Sequence, residues 1–254
     1  MEKIMIDSKF EKCTDLELLQ SIPDKSVHMV LTDPPYIISR DSGMDKYSKN
    51  PELAKKDVKY GSKYAIETDY GDWDKNYTIE NLEEVIKECK RILIPGGSCI
   101  IFFDIWKIET LSNLLTKYKF SKLRLVEWIK TNPVPINSKA TYLSNAREIA
   151  VSCVNGSKKS TFNSEYDNGV YSYPIYSGKD RFHPTQKSLP LFTDLIKKHT
   201  NEGDVVVDPY GGSGTTFVAC EKMNRKCLSC EIDSDFYQKS VERIDNTTKA
   251  KLPV

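Results

Sequence analysis

Apolar positions change their period repeatedly along this chain, and each change predicts an element. Thr14 to Ile22 sets Leu16, Leu18, Leu19 and Ile22 on one side of a helix with Thr14 as its N-cap. Val27 to Thr32, bounded by Pro23 and Pro34, reads as a short strand buried on both faces. Lys3 to Ile6 is a candidate strand before it. From Thr78 to Leu93 the residues Leu82, Val85, Ile86 and Cys89 return at helical spacing, and Pro95-Gly96-Gly97 is expected to close that helix. Ser98 to Phe103 is then a continuous apolar strand, Ile105 to Tyr118 a helix, and Leu123 to Ile129 and Ile149 to Val154 two more strands. Pro190 to Thr200 reads as an amphipathic helix, Val205 to Asp208 as a buried strand, Thr216 to Met223 as a helix and Cys227 to Cys230 as a strand. Strand and helix alternate, which predicts an α/β fold with a doubly wound, mostly parallel sheet.

Two long stretches lack this periodicity. Ile37 to Asn76 is rich in Lys, Tyr, Gly and Asp, and a segment of that length is usually a functional lid or disordered. Asn155 to Phe182 is rich in Tyr, Ser, Gly and Asn, and is expected to be an inserted loop region because regular structure resumes beyond it. The net charge of +1 gives no global nucleic-acid signature, but the positive charge is uneven. Arg40 to Lys63 and Lys130 to Lys187 each carry more Lys and Arg than Asp and Glu, so both irregular regions are basic. Met1 to Phe10 has no apolar core, and no run approaches the roughly 18 apolar residues of a membrane span, so a cytoplasmic protein without membrane contact is expected. Seven scattered cysteines do not form a disulfide framework. Cys227 and Cys230 have a metal spacing but no second pair, so they are read as strand thiols and no metal is expected.

The chemistry concentrates where strands end. Asp33-Pro34-Pro35-Tyr36 follows the strand Val27 to Thr32, placing a carboxylate at the edge where open parallel sheets bind ligands. Two prolines remove two backbone donors and leave the Asp33 and Pro34 carbonyls to accept from a ligand. A carboxylate and a carbonyl can hold both hydrogens of an exocyclic amine while Tyr36 stacks on the heterocycle. Downstream, Asp208-Pro209-Tyr210-Gly211-Gly212-Ser213-Gly214-Thr215-Thr216 joins a strand to a helix. Its glycines permit close backbone approach, and the helix N-terminus offers unpaired N–H groups. The Gly-Lys-Ser/Thr of a phosphate loop and the dinucleotide Gly-x-Gly-x-x-Gly are both absent. Glu231, followed by Ile232, ends the next strand, where an acid can grip ribose hydroxyls. Together these describe a nucleoside-type cofactor without pyrophosphate.

These two motifs, with Phe182-His183-Pro184-Thr185-Gln186-Lys187 between them, resemble the amino-group DNA methyltransferases that use S-adenosylmethionine. The order, catalytic motif before cofactor motif, resembles the beta class, whose class I methyltransferase sheet is circularly permuted. The resemblance implies one catalytic domain over 1–254, with 37–76 as a lid contacting DNA and 130–182 as a target-recognition insert. It implies that Asp33 and Pro34, with Pro35 and Tyr36, grip the N6 amine of an adenine flipped from duplex DNA. Asp33, Thr185, Gln186, Lys187, Asp208, Tyr210, Gly211, Gly212, Ser213, Gly214, Thr215, Thr216, Glu231 and Ile232 would then hold S-adenosylmethionine. Double-stranded DNA would meet Tyr36, Trp73, Lys55, Lys56, Lys59, Lys130, Asn132, Lys139 and Arg147. A homodimer and a cognate restriction endonuclease are the further partners it suggests. The chain departs from the family pattern at Tyr210, where Phe or a similar residue is usual, and at Ser188, where proline is usual. Cys13 or Thr14 stands where an acidic residue often lies.

Other chemistries fit less well. Cytosine C5 methylation needs a nucleophilic cysteine that in that family follows proline, and no cysteine here does. N4-cytosine enzymes share the logic but more often carry Ser at the position of Asp33. A glutamine methyltransferase would have Asn-Pro-Pro-Tyr and its cofactor loop upstream. An inactive cofactor-binding regulator would not need Asp33 and the glycines intact.

Overall fold

The computed structural model describes residues 6–36, 77–135, 141–143 and 145–249. The chain divides into two compact units, Met1–Pro34 with Glu83–Val254, and Pro35–Leu82. Of the smaller unit, Pro35, Tyr36 and 77–82 are described, and there Thr78 and Asn81 exchange side-chain and backbone hydrogen bonds that start a helix.

Eight described strands form one sheet. In chain order the elements are β1 (Lys9–Glu11), α1 (Asp15–Ser21), β2 (Val27–Thr32), α2 (Ile79–Ile92), β3 (Leu93–Phe103), a 3-10 turn (Ile105–Lys107), α3 (Ile108–Lys117), β4 (Phe120–Lys130), β5 (Arg147–Asn155), β6 (Val170–Tyr173), α4 (Leu189–His199), β7 (Val205–Asp208), α5 (Thr215–Lys222), β8 (Lys226–Cys230) and α6 (Ser234–Lys249). Across the sheet they run β1-β8-β7-β2-β3-β5-β4-β6. β5 is antiparallel to β3 and β4, and the other neighbours pair in parallel. The expected doubly wound, mostly parallel α/β sheet is therefore present.

The register of the central strands follows from burial. β2 pairs with β7 (Met29 with Val206, Val30 with Val207) and with β3 (Val30 with Cys99, Thr32 with Ile101). Alternate residues point to opposite faces of a strand, and Met29, Val30 and Leu31 are all buried, so both faces of β2 are covered. Met29, Leu31, Ile100, Phe102 and Val206 share one core with Leu191, Phe192 and Leu195 of α4 and with Phe217 and Val218 of α5. From β7 the chain crosses through α5 to β8 on one side, and from β2 through α2 to β3 on the other. The line between β7 and β2 is thus the point where the strand order reverses, the position at which such sheets bind ligands. His28 pins this line: its Nδ1 accepts from Val205 N at 3.1 Å, and its Nε2 lies 3.3 Å from Asp204 Oδ1.

Several boundaries differ from expectation. The first strand is Lys9–Glu11, and Ile6, the last residue of the expected one, is not in a strand. Pro95-Gly96-Gly97 does not stop the chain after α2 but lies inside β3 as a bulge, because pairing with β2 jumps from Leu93 to Ser98. Gly96 adopts φ +92°, and a Cβ on Gly97 would press on the His28 carbonyl at 3.1 Å, so both glycines are required there. β5 is the expected strand Ile149 to Val154, extended at both ends, whereas β6 arises inside Asn155 to Phe182, which was expected to be loop.

Candidate active site

Asp33 follows β2 and Asp208 ends β7, so two carboxylates far apart in sequence stand at the carboxyl ends of neighbouring parallel strands. Thr32 Oγ1 donates to Asp208 Oδ1 at 2.7 Å, joining the two motifs directly. Asp208 also accepts from Tyr210 N at 3.1 Å and from Thr216 Oγ1. Its burial pushes its pKa up to about 6, the three donors pull against that, and the Asp33 charge adds to the rise. Asp208 and Thr216, expected to touch the cofactor, thus bond to the protein itself and brace the turn from below.

The turn above them is built for close approach. Gly211 N donates to Cys230 O at 2.8 Å and Gly214 N to Gly211 O at 2.7 Å, while Gly212 and Gly214 have φ of +50° and +72°. A Cβ on Gly211 would lie 2.4 Å from Ser229 Oγ, 2.7 Å from Phe10 Cε2 and 2.9 Å from the Cys230 carbonyl, so only glycine fits. α6 clamps the turn from outside, a role the sequence did not reveal. Ser240 Oγ donates to Gly212 O at 2.6 Å, and Arg243 Nη1 reaches Ser213 O at 2.7 Å and Thr215 Oγ1 at 3.1 Å. The Tyr210 hydroxyl, the extra group relative to the usual Phe, donates to Asp15 Oδ2. That bond brings an acidic residue of α1 to the turn, two positions after Cys13.

Glu231 follows β8 beside the turn. Burial pushes its carboxyl up to about 7, against backbone donors that include Asp233 N at 2.8 Å. Ile232 is exposed at its side. Among the described residues Gln186 Oε1 is a buried polar atom with no hydrogen-bond partner, which is costly unless a ligand completes it. Donor N–H groups, glycines that admit a backbone contact, an acid for hydroxyls and an unsatisfied polar atom fit S-adenosylmethionine.

The segment before α4 joins the two strand ends. His183 packs on Phe236 with ring centres 4.3 Å apart, and its Nδ1 accepts from Thr185 N at 3.3 Å. Burial, with Lys187 and Arg181 nearby, lowers its pKa to about 4, so the ring is neutral at pH 7. Thr185 is exposed and Gln186 buried. Lys187, expected among the cofactor-binding residues, points instead at two carboxylates: its Nζ lies 2.8 Å from Asp33 Oδ2 and 2.5 Å from Glu148 Oε2. Burial alone would lower the Lys187 pKa, but Asp33 and Glu148 outweigh it and the ammonium is held charged. Glu148, at the start of β5, was not singled out from sequence. A lone acid preceding the apolar run Ile149 to Val154 was the available signal.

The residues expected to meet DNA divide into groups. Lys130 is not a surface cation: its side chain is 11% exposed and pairs with Glu148 at 2.6 Å. Asn132 accepts from Ile175 N at 2.7 Å and donates to Ile175 O at 3.2 Å, so it extends the sheet edge. Tyr171 and Tyr173 of the expected target-recognition insert are bonded to Asp167 and Asp194. Arg147 remains exposed beside Glu127, 3.3 Å away. Lys55, Lys56, Lys59, Trp73 and Lys139 lie outside the described residues, as does the whole of the expected lid 37–76. Pro35 and Tyr36 continue the chain from Pro34 as part of the smaller unit.

Comparison with known proteins agrees with this chemistry. The family model described as DNA methylase (N6_N4_Mtase) matches residues 27–242. The chain is 25% identical over 247 residues to the type II methyltransferase M2.DpnII of Streptococcus pneumoniae, covering 90% of this chain and 86% of that one. It is 28% identical over 251 residues to the type II methyltransferase M.HinfI of Haemophilus influenzae, covering 90% and 66%. Among solved structures, the M1.HpyAVI complex with S-adenosylmethionine superposes with TM-score 0.66 at 24% identity, covering 93% and 98%. The cytosine-N4-specific PvuII DNA methyltransferase superposes with TM-score 0.68 at 17% identity, covering 96% and 92%. No described helix is long and apolar enough to cross a membrane. The chain belongs to the N6/N4 DNA methylase family and is a DNA methyltransferase that uses S-adenosylmethionine.

Proposed function

We propose that this enzyme methylates the N6 amine of adenine at a specific site in double-stranded DNA. The observation that carries the reading is the placement of Asp33 beside the glycine turn, through β2, β7 and the Thr32 to Asp208 hydrogen bond. When bound, S-adenosylmethionine supplies an electrophilic methyl group on a sulfonium. The protein's part is to hold the acceptor. The Asp33 carboxylate and the Pro34 carbonyl accept hydrogen bonds from the amine, turning its lone pair out of ring conjugation, and Tyr36 stacks on the flipped base. Transfer would form the N–C bond as the S–C bond breaks, leaving the cofactor as a thioether, and the proton shed by the amine would pass to solvent. These hydrogen bonds strengthen as the nitrogen becomes tetrahedral, so they favour the transition state over the ground state. Gly211 to Thr215, Gln186, Thr185 and Glu231 with Ile232 hold the cofactor. This chemistry assigns no task to a metal.

Cytosine N4 is the second reading, and Asp33 in place of the serine usual in those enzymes argues for adenine. The PvuII likeness, at 17% identity, bears on fold alone. Arg147 and the basic segment Arg40 to Lys63 are assigned to DNA backbone contacts. Relatives named as type II methyltransferases support a role in a restriction-modification system, and a cognate endonuclease, a homodimer and a cytoplasmic location belong to the same reading. Sequencing DNA modified by the purified protein tests base and site together: methylated adenine at one recurring sequence is expected, and methylated cytosine would replace this reading with the second.

A further inference from the structure

Lys130, Glu148, Lys187 and Asp33 form a continuous row of alternating charges leading to the proposed catalytic carboxylate. The links are 2.6 Å from Lys130 Nζ to Glu148 Oε1, 2.5 Å from Glu148 Oε2 to Lys187 Nζ, and 2.8 Å from Lys187 Nζ to Asp33 Oδ2. The four side chains are between 9% and 18% exposed. Each lysine also lies over an aromatic ring, Lys187 at 5.4 Å from Phe102 and Lys130 at 5.0 Å from Trp128. Burying four charges is a poor route to stability, since desolvation cancels most of the attraction and apolar side chains of the same volume would serve as well. A row kept in this form at a strand end, with one terminus on Asp33, is better accounted for by what it does to Asp33.

We infer that Lys187 is a positioning residue for Asp33 and not a cofactor ligand, and that Glu148, itself held by Lys130, sets how strongly Lys187 acts. This rests on Asp33 being the group that accepts the target amine. Lys187 fixes the Asp33 carboxylate through Oδ2 and sets its positive charge directly against that carboxylate. An unopposed ammonium would, however, weaken the carboxylate as an acceptor and repel the amine as it gains positive charge. Glu148 offsets that charge from the far side.

The test is the pH dependence of kcat in variants along the row, with S-adenosylmethionine affinity measured by calorimetry. Lys187→Met is expected to lower kcat about 100-fold, the scale of a misplaced reacting group. Its acidic limb should move to higher pH, with cofactor affinity unchanged within about threefold. Glu148→Gln is expected to move that limb the opposite way, to lower pH, because Lys187 then acts on Asp33 alone. A purely structural row would change the folded fraction and leave the limb in place. Should a single variant fail to fold, Lys187→Met combined with Glu148→Gln keeps the row neutral, and it too should lose kcat and shift the limb upward. A loss of cofactor affinity with kcat intact, or a limb unmoved in these variants, overturns the inference. Asp33→Ala separates the two levels: if it remains active the reading of Asp33 fails, whereas if it is inactive and Lys187→Met behaves as wild type, only the positioning role fails.

Discussion

Thr32 Oγ1 and Asp208 Oδ1 are 2.7 Å apart although 176 residues separate them in the chain. One hydrogen bond therefore ties the strand that presents Asp33 to the strand that presents the glycine turn, inside a region with no solvent to replace it. Thr32→Val keeps the shape of the side chain and removes the donor. Urea denaturation should show a loss of about 1–3 kcal/mol, the cost of leaving a buried acceptor short of a partner. A loss below that range would mean that Asp208 is satisfied by Thr216 and Tyr210 alone.

Gly211 offers a sharper test of the turn. Gly211→Ala puts a methyl group 2.9 Å from the Cys230 carbonyl and 2.7 Å from Phe10 Cε2, and the backbone carbonyl has no rotamer with which to yield. Affinity for S-adenosylmethionine, measured by calorimetry, is expected to fall at least about tenfold, corresponding to about 1.4 kcal/mol.

Arg243 tests the clamp from α6. It donates to Ser213 O and lies within hydrogen-bonding distance of Thr215 Oγ1. Arg243→Met retains much of the side chain's bulk without the donors. Weaker cofactor binding with the DNA affinity of the enzyme preserved is the expected result, since among the described residues the guanidinium's hydrogen bonds go to the turn.

How much of this was legible in the sequence follows the range of each interaction. Alternating and helical periods are local properties, so α1, α2, β2 and β7 lie close to where Thr14, Leu82, Val30 and Val206 place them. The two strand-end motifs were legible because proline and glycine restrict or free the backbone whatever surrounds them. Partners were not. Lys130 reads as a surface cation until β5 brings Glu148 to it, and Lys187 reads as a ligand-binding lysine until β2 brings it Asp33. Asn132 looks like a base-reading amide, yet both of its polar atoms bond to Ile175. Pro95-Gly96-Gly97 misled because the same residues that end a helix also make a bulge, and only pairing with Val27 and Met29 decides between them.

Stability in mild acid follows from His199. Its Nδ1 is 3.0 Å from Ser98 Oγ and Phe162 packs at its edge. Burial lowers its pKa from 6.5 to about 4, with Asp167 opposing and Lys198 adding to the fall. The unfolded chain takes up this proton below pH 6.5 while the folded protein resists until about pH 4, so stability is lost as pH falls across that window, by up to about 3 kcal/mol. Asp208, raised to about 6, works in the opposite sense and gains as pH falls. The His199 share is isolated as a difference: the loss of melting temperature between pH 6.5 and 4 should be smaller in His199→Gln than in the wild type.

Arg147 tests the DNA face. Its exposed guanidinium is assigned to a phosphate, so Arg147→Ala should weaken binding equally on specific and unrelated duplexes and reduce the salt slope of log K by about 1. A change confined to the specific site would make it a base reader.

Under the proposed function Asp33 holds an adenine amine beside a methyl donor seated at the glycine turn. The most direct measurement is transfer of tritiated methyl from S-adenosylmethionine to duplex DNA, followed by digestion and separation of nucleosides, for wild type and Asp33→Ala. Label in N6-methyldeoxyadenosine with the wild type, and none with Asp33→Ala although it still binds the cofactor, is the predicted result. No labelled nucleoside from the wild type, or undiminished transfer by Asp33→Ala, would contradict the account.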